Sequence, residues 1–134
     1  MKEELIRTEM LLGRAAIERL QHSHVAVFGI GGVGGYVTEV LARSGVGELT
    51  LIDSDRVNRS NINRQIIATH ETVGRTKVDA AAERVHAISP DCIVHTLPVK
   101  YEDSTRELCF SRHYDYIADC IDLVKCKLDL ICTA

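Results

Sequence analysis

The sequence predicts an α/β fold, namely a Rossmann-like, doubly wound and mainly parallel sheet with an N-terminal helix. Short apolar runs of strand length alternate with longer segments whose apolar residues recur at helical spacing, and this alternation is typical of parallel strands joined by crossover helices. A glycine-rich turn, Gly29 to Gly34, directly follows the first apolar run. The chain has 134 residues and 46% hydrophobic content, so it fits one domain with a substantial core.

The first half of the chain is predicted to contain a helix, a strand, a second helix and a second strand. The first strand is expected over 24–28, and the second ends at Asp53. The helix between them is expected to end at Gly45 and Gly47, which resemble glycine C-caps. The opening helix, which stops before Gln21, is predicted from the spacing of Leu11, Leu12, Ala15, Ala16 and Leu20. One side of the second helix carries Val33, Val37, Val40, Leu41 and Ser44.

The second half continues the same alternation. A helix is predicted after Gly74 and is stopped by Ser89 and Pro90, since the residue before a proline disfavours helical geometry. Strands are expected over 92–97 and 114–119, with a short helix over about 103–111 between them and a last helix over 123–134. That last helix reaches the end of the sequence without a cap, so we expect the chain to be the N-terminal half of a longer protein. The buried face of the helix after Gly74 is expected to carry Val78, Ala81, Ala82, Val85 and Ile88.

Composition excludes several classes of protein. The formal net charge of −3 argues against a general nucleic-acid binder, although it leaves open a nucleic acid as substrate. The first residues lack the apolar stretch of a signal peptide, and no apolar run approaches the roughly 20 residues of a membrane helix. We therefore expect a cytoplasmic protein that is not inserted in a membrane. Five cysteines without C-x-x-C spacing favour reduced thiols over a zinc site or disulfides.

The glycine run predicts a nucleotide site. Glycines at this spacing, Gly29, Gly31 and Gly34, let the backbone turn sharply from a strand into a helix, so that main-chain N–H groups face a phosphate. Asp53 ends the next apolar run 19 positions after Gly34, where such folds place a carboxylate that binds ribose hydroxyls. The alternative is that Asp53 caps its own turn.

Cations in the following loop suggest a triphosphate. Arg64 can bind phosphate oxygens in pairs through its guanidinium, and Lys77 supplies a point charge. Asn61 can bridge ribose and phosphate, because its amide both donates and accepts hydrogen bonds. From spacing alone, Arg64 and Lys77 could equally be solvated loop and helix charges.

These motifs together resemble the ubiquitin-activating superfamily, which includes the adenylyltransferases of molybdopterin and thiamine biosynthesis. The resemblance covers essentially the whole chain and extends most closely to the tRNA threonylcarbamoyladenosine dehydratases. The segments that carry the superfamily resemblance are 29–34, 51–57, 60–65 and 73–78. The features that favour the dehydratases are Arg7-Thr8 with Leu11-Leu12-Gly13, the run from Asn63 to Gly74, and Asp119, Asp122, Val124 and Lys125.

The resemblance assigns roles to individual residues. Asp53 would hold the ATP ribose, while Asp122 would hold Mg2+ beside the triphosphate. Arg7 matches an arginine that such proteins insert into the partner subunit's site, which implies a homodimer. The alternative interpretations are that Asp122 caps the next helix and that Arg7 is a surface charge without a role in the site. Wrapping of the nucleotide and contacts to its ribose and phosphates are implied for Gly29, Gly31, Gly32, Gly34, Asn61, Arg64 and Lys77.

The activity that the resemblance implies is ATP-dependent activation of a carboxylate by adenylation, leading to cyclic dehydration of threonylcarbamoyladenosine in tRNA. The first alternative is an adenylyltransferase for the C-terminal glycine of a ubiquitin-like sulfur carrier protein. An NAD-dependent oxidoreductase is a third hypothesis, against which Arg64 and Lys77 count, and a non-catalytic partner-binding domain is a fourth. Members of the superfamily are about twice as long as this chain, so residues 1–134 are expected to form the ATP-binding half and to be inactive alone.

Overall fold

A computed structural model describes residues 2–134. Four parallel strands form one sheet, and helices cover both of its faces. The strands are β1 (His24–Phe28), β2 (Glu48–Ile52), β3 (Ile93–Leu97) and β4 (Tyr116–Asp119). The helices are α1 (Ile6–Leu12), α2 (Arg14–Gln21), α3 (Gly32–Arg43), α4 (Lys77–Ile88), α5 (Arg106–Cys109) and α6 (Val124–Thr133). Two 3-10 turns lie at Glu3–Leu5 and Arg59–Asn61.

The strand order is β3-β2-β1-β4, which confirms the predicted Rossmann-like architecture. The chain builds β1, β2 and β3 toward one edge and then crosses to the other side of β1 for β4. The order therefore reverses between β1 and β4, and the connections that leave the carboxyl ends of these strands diverge. Open α/β sheets bind their ligands in the crevice at such a reversal.

Each face of the sheet has its own core. Val25, Val27 and Leu49 pack with α4 on one face, where Val78, Ala81 and Val85 are buried as predicted. Ala26, Phe28 and Ile52 pack on the other face. The residues that cover this second face are Tyr101, Cys109, Cys126 and Leu130. Because both faces are covered, both faces of the central strands are largely apolar, and His24 on β1 and Thr50 on β2 are the buried polar exceptions.

Two glycine positions explain where the helices break. The opening helix is not continuous as predicted, because Gly13 adopts φ +89° and divides it into α1 and α2. Gly45 also has φ +89° and follows the end of α3, which confirms its predicted role. Gly47 has a different reason, since a Cβ there would lie 1.9 Å from the carbonyl oxygen of Gln21. Close backbone packing, rather than capping, requires that glycine.

The apolar residues of α3 do share one side, but that side faces outward at two positions. Val33 and Val40 are 68% and 61% exposed. The buried face of α3 instead carries small and polar residues, which allows the helix to approach the sheet and α4 closely: Gly34, Gly35, Thr38, Glu39 and Ala42. Helical spacing thus identified an apolar stripe without showing which side of the helix packs on the core.

Within residues 2–134, none of the helices combines the length and the apolar character that crossing a bilayer requires.

Candidate nucleotide site

A cavity of about 560 Å3 opens at the carboxyl ends of β1, β2 and β4. This volume lies within the usual range for small-molecule sites. Its position is the crevice created by the reversal of strand order. The wall includes the predicted residues Gly29, Gly31, Gly32, Asp53, Arg64, Lys77 and Asp122.

The glycine run forms the floor of this cavity. Gly29 adopts φ +93°, and a Cβ there would lie 2.5 Å from the carbonyl oxygen of Cys120. A Cβ on Gly34 would lie 1.7 Å from the carbonyl oxygen of Gly29, so the turn closes only without side chains at both positions. Gly32 begins α3 and has no atom within 4 Å of its Cβ position, so it borders open space.

The amino end of α3 is suited to an anion. No side chain caps it, and its first turn contains no acidic residue. The N–H groups of a first helical turn have no partner within the helix and carry the positive end of the helix dipole. A phosphate group in the cavity would satisfy them.

Asp53 joins the first two strand ends. Its Oδ2 accepts a hydrogen bond from the Ile30 amide at 2.7 Å, and its Oδ1 accepts one from the Asp55 amide at 2.8 Å. The carboxylate therefore shapes its own turn, as the alternative interpretation has it, and also fixes the glycine loop. Each carboxylate oxygen can accept more than one hydrogen bond, so Asp53 retains capacity for ribose hydroxyls.

Lys77 is the most unusual residue of the wall. It begins α4 with only 6% of its surface exposed, and its ammonium makes no hydrogen bond within residues 2–134. The nearest carboxylate oxygen, Asp55 Oδ2, lies 3.9 Å from its Nζ. A buried charge without a close partner is costly, and an anion in the cavity would remove that cost.

Arg64 is exposed and folds onto its own loop. Its Nη1 donates to the Ser60 carbonyl and to Asn63 Oδ1, both at 3.0 Å. The remaining guanidinium N–H groups are available at the cavity edge. Asp122, just past β4, is also exposed and lines the cavity with a carboxylate that has no hydrogen-bond partner among the described residues.

The wall chemistry fits ATP with a divalent cation. Buried Lys77 and the uncapped end of α3 favour phosphates, while Asp53 suits a ribose. The side-chain oxygen Oε1 of Gln65 is buried without a hydrogen-bond partner, so this wall residue also has unused capacity for a ligand. Asp55 and Asp122 offer carboxylate oxygens, the ligand type that Mg2+ prefers beside phosphate oxygens.

Three predicted residues do not line the cavity. Gly34 lies beneath the glycine turn. Asn61 is buried in a local capping box, where its Oδ1 accepts a hydrogen bond from the Asn58 amide at 2.9 Å. Arg7 lies on α1, exposed and without an ion pair or hydrogen bond among the residues that the structure describes. Ligand contacts by Asn61 and a role for Arg7 across a subunit interface stay predictions.

Residues 5–133 match the ThiF family. The chain belongs to this family. The match confirms the resemblance drawn from the sequence motifs, since it covers nearly every residue.

Three relatives of the ThiF-family chain illustrate the similarity. This chain is 41% identical over 131 residues to the tRNA threonylcarbamoyladenosine dehydratase of Bacillus subtilis, and the match covers 98% of this chain and 52% of that protein. The solved Escherichia coli tRNA N6-threonylcarbamoyladenosine dehydratase in complex with ATP has a TM-score of 0.94 at 38% identity, over 98% of this chain and 54% of that one. The sulfur carrier protein adenylyltransferase of Thermus thermophilus is 38% identical over 126 residues, 90% of this chain and 46% of that protein. The chain thus spans about half the length of these relatives.

The sequence did not single out two wall residues of this ThiF-family chain. Gln65 stands within the motif of the polar loop, but its side chain gave no separate signal. Tyr101 belongs to a polar connection between β3 and α5, where its ring packs edge-on against Phe28 at 5.3 Å and its hydroxyl donates to Asp129 Oδ2 at 2.6 Å. The pKa of Tyr101 is raised, mainly because the side chain is buried and secondly because of this hydrogen bond. A long-range contact of this kind has no local sequence pattern.

Proposed function

We propose that residues 1–134 are the ATP-binding part of an enzyme that activates a carboxylate by adenylation. The observation that carries this proposal is the Lys77 side chain, which is largely buried, makes no close ion pair and lines a glycine-floored cavity. A dinucleotide site relies mainly on backbone amides, whereas a triphosphate with its higher charge calls for cations. Calorimetry of the full-length protein with Mg2+ and either ATP or NAD tests this step, and tighter binding of NAD would contradict it.

Different residues of the cavity wall bind different parts of the nucleotide. Asp53 accepts hydrogen bonds from the ribose, and the amino end of α3 receives the phosphates. Lys77 and Arg64 offset the negative charge that develops as pyrophosphate leaves. Asp122 is the residue that we assign to Mg2+, which supplies further charge neutralisation when bound.

The chemistry needs positioning and charge more than acid or base catalysis. A carboxylate oxygen attacks the α-phosphorus of ATP. The bond between this phosphorus and the oxygen that bridges to the β-phosphorus breaks, so pyrophosphate leaves and an acyl-adenylate forms. The wall offers cations and backbone amides for this step. Burial raises the pKa of Cys120, a wall residue, so its thiol is protonated at neutral pH and is not a ready nucleophile.

We propose that the carboxylate belongs to the threonylcarbamoyl group of a tRNA adenosine. Attack by the carbamoyl oxygen on the activated carbonyl carbon would close a ring, release a proton and expel AMP. The net change in the nucleoside is the loss of one water. Dehydratases among the relatives support this assignment, and a tRNA substrate agrees with the expected cytoplasmic location.

The loop over 53–77 offers charge for a tRNA backbone. It contains five cations and three anions in a chain that is otherwise acidic. Arg59 and Arg64 are exposed there, while Arg75 is paired with Glu83 and Lys77 is buried. Phosphate contacts of this kind weaken steeply with salt, so tRNA binding should fall as the salt concentration rises.

The deciding experiment is to incubate the full-length protein with ATP and threonylcarbamoyl-modified tRNA, then digest the tRNA and weigh its nucleosides. An ATP-dependent loss of one water from the modified adenosine is the expected result. Unmodified tRNA serves as the control, because it lacks the carboxylate. An unchanged nucleoside mass, with ATP still bound, would refute the substrate and leave the nucleotide assignment intact.

A second candidate is adenylation of the C-terminal glycine of a ubiquitin-like sulfur carrier protein. The similarity to the Thermus thermophilus adenylyltransferase favours it, and the same wall residues would serve. Incubation with ATP and such a carrier would then add AMP to the carrier's C-terminus. That product, without any change in tRNA, would transfer the assignment to this candidate.

We also propose that the protein is a homodimer in which α3 contributes to the interface. The outward side of α3 exposes Val33, Tyr36 and Val40. This side adjoins the nucleotide cavity, because Gly32 and Val33 border both the cavity and the outward side of the helix. Apolar patches of this kind on a protein surface indicate an interaction site. A second copy on this face would lie beside the nucleotide, where Arg7 of that copy could complete the site.

Subunit mixing tests this arrangement. Arg7→Ala and Lys77→Met should each be inactive as pure dimers. After random mixing, about a quarter of wild-type activity should return, because half of the dimers then contain one intact site. No recovery, or a monomer by light scattering, would overturn the proposal.

A further inference from the structure

Two histidines and a glutamate lie together at the amino-terminal part of the sheet. The three residues of this histidine-glutamate cluster are His24 on β1, Glu48 on β2 and His95 on β3. His24 pairs with Glu48 in the parallel register, and His95 pairs with Thr50, two residues beyond Glu48. Side chains two residues apart point to the same face of a strand, so all three emerge on one face. The nucleotide cavity lies at the opposite, carboxyl ends of β1 and β2.

The ligand atoms of the cluster converge on one point. Glu48 Oε2 lies 2.6 Å from His95 Nε2 and 3.5 Å from His24 Nδ1. One nitrogen or oxygen atom from each of the three residues lies within 4.8 Å of the others. The two imidazoles are close but not stacked, with ring centroids 5.7 Å apart and planes tilted by 47°.

Neighbouring groups hold His24 in this orientation. Its second ring nitrogen, Nε2, lies 2.7 Å from Thr50 Oγ1, so Nδ1 is the nitrogen that faces Glu48. The ring of Tyr114 packs against the imidazole at 4.9 Å in an edge-on arrangement. A histidine ligand commonly uses its other ring nitrogen in such a hydrogen bond, which fixes the direction of the ring.

The cluster is closed on one side and open on the other. The His24 side chain is 10% exposed, whereas those of His95 and Glu48 are 25% and 32% exposed. An ion could therefore enter between the two partly exposed side chains, where His95 Nε2 and Glu48 Oε2 would have to separate from their present 2.6 Å. Ligand atoms around a tetrahedral zinc lie about 3.3 Å apart, given metal-ligand distances near 2.0–2.1 Å.

We propose that His24, Glu48 and His95 form a binding site for one divalent transition-metal ion of the zinc type. Two imidazole nitrogens and one carboxylate oxygen favour zinc and its neighbours over Mg2+, which prefers oxygen ligands. Three protein ligands leave a fourth coordination position directed to solvent. The bound ion ties together β1, β2 and β3 at the end of the sheet away from the nucleotide cavity.

Cobalt titration tests the proposal without relying on enzyme activity. Untagged full-length protein, stripped with a chelator and carrying Cys132→Ser to remove an exposed thiol, is titrated with Co2+. The expected result is one bound Co2+ with visible d–d absorption and no strong thiolate-to-cobalt band in the near ultraviolet. Zn2+ should displace this ion and raise the midpoint of thermal unfolding.

Matched variants identify the ligands. His95→Gln and Glu48→Gln, at partly exposed positions, should each weaken Co2+ binding by at least about tenfold. His113→Gln changes a neighbouring histidine that is 88% exposed and outside the cluster, and Asp122→Asn changes the nucleotide cavity, so both should bind Co2+ like the parent. Absence of Co2+ binding, unchanged binding by His95→Gln, or a thiolate band would overturn the site.

Discussion

The Nζ atom of Lys77 lies 3.9 Å from Oδ2 of Asp55, a separation too long for a hydrogen bond, although the lysine side chain is only 8% exposed. The two residues are nevertheless fixed relative to each other, because the Lys77 amide donates to the Asp55 carbonyl at 3.0 Å. Backbone geometry thus holds a largely buried lysine near a carboxylate without a close ion pair. A ligand phosphate could take the place that a salt bridge would otherwise fill.

Lys77→Met is therefore expected to separate function from stability. Loss of a positioned cation should slow ATP-pyrophosphate exchange by about 100-fold or more. Thermal stability should not fall, because methionine has a similar length and removes a poorly paired buried charge. Exchange assays and thermal unfolding of the full-length protein measure the two effects.

Lys2→Met is the matched control for that variant. Lys2 pairs with Asp91, which precedes β3, and so lies away from the nucleotide cavity. Its exchange rate should equal that of the wild type. A Lys77→Met protein with normal exchange would remove the main support for the proposed function.

A second buried charge, Glu39, has the opposite character because it is fully paired. Arg84 on α4 donates from Nε and Nη2 to its two carboxylate oxygens at 2.9 Å, and Arg43 donates to Oε1 at 2.9 Å. The Arg84 hydrogen bonds are the main reason that the pKa of Glu39 falls below its usual 4.5. This carboxylate therefore links α3 to α4.

Glu39→Gln should destabilise the protein by about 1.5–3 kcal/mol at pH 7, since it weakens charged hydrogen bonds. A carboxyl with a lowered folded pKa contributes its stabilisation above pH 4.5, and the contribution is lost as the pH falls through the folded pKa. The difference between variant and wild type should thus shrink in acid. Urea unfolding at several pH values measures it.

The exposed pair Arg14 and Glu18 supplies the comparison for Glu39. Glu18 is 60% exposed, so Glu18→Gln should change the free energy of unfolding by less than about 1 kcal/mol at any of these pH values. Equal effects of the two substitutions would show that burial of Glu39 adds nothing to its ion pairs.

Local patterns predicted the strands well because the central parallel strands are mostly apolar on both faces and end at sharp turns. β1 matches its predicted bounds, and β2 ends one residue before Asp53. The opening helix was wrong in its continuity, since apolar spacing alone does not reveal the positive φ of Gly13. The sequence likewise did not show which side of α3 is exposed, because an apolar stripe can face either the core or another protein surface.

The site was predictable where backbone conformation dictates residue type, and less so where tertiary packing does. Gly29 and Asp53 lie at strand ends, so the topology brings them together from far apart in the chain. Tyr101 reaches the same cavity only through its packing on Phe28 and its hydrogen bond to α6. Asn61 was predicted to contact the ligand, but its side chain forms a local capping box that the sequence motif did not indicate.

Cysteine reactivity offers a test of the packing. Burial raises the pKa of Cys92 to about 11, and Cys109 is also buried with a raised pKa. Since the thiolate is the reactive form, iodoacetamide at pH 8 should modify exposed Cys132 first. Cys92 and Cys109 should react only after unfolding, and peptide mass mapping of the labelled protein would reveal the order. Early modification of Cys92 would contradict the packing of this end of the sheet.

Two glycines two positions apart, Gly32 and Gly34, allow folding and binding to be tested separately. Gly34→Ala places a methyl group 1.7 Å from the Gly29 carbonyl oxygen, so the turn must open. This variant should lose about 2 kcal/mol or more of stability, in line with other overpacked sites. Gly32→Ala meets no atom within 4 Å and begins α3, so its stability should stay within about 0.5 kcal/mol of the wild type.

Gly32 lines the nucleotide cavity at the amino end of α3, where we place the phosphates, so an added methyl group would reduce the space there. Weaker ATP binding with unchanged folding is therefore expected for this variant. Urea unfolding and calorimetric titration with ATP, performed on the same preparations, measure both quantities. If Gly32→Ala bound ATP as tightly as the wild type, the phosphates would have to lie away from this helix end, and Lys77 would need another explanation for its buried, weakly paired charge.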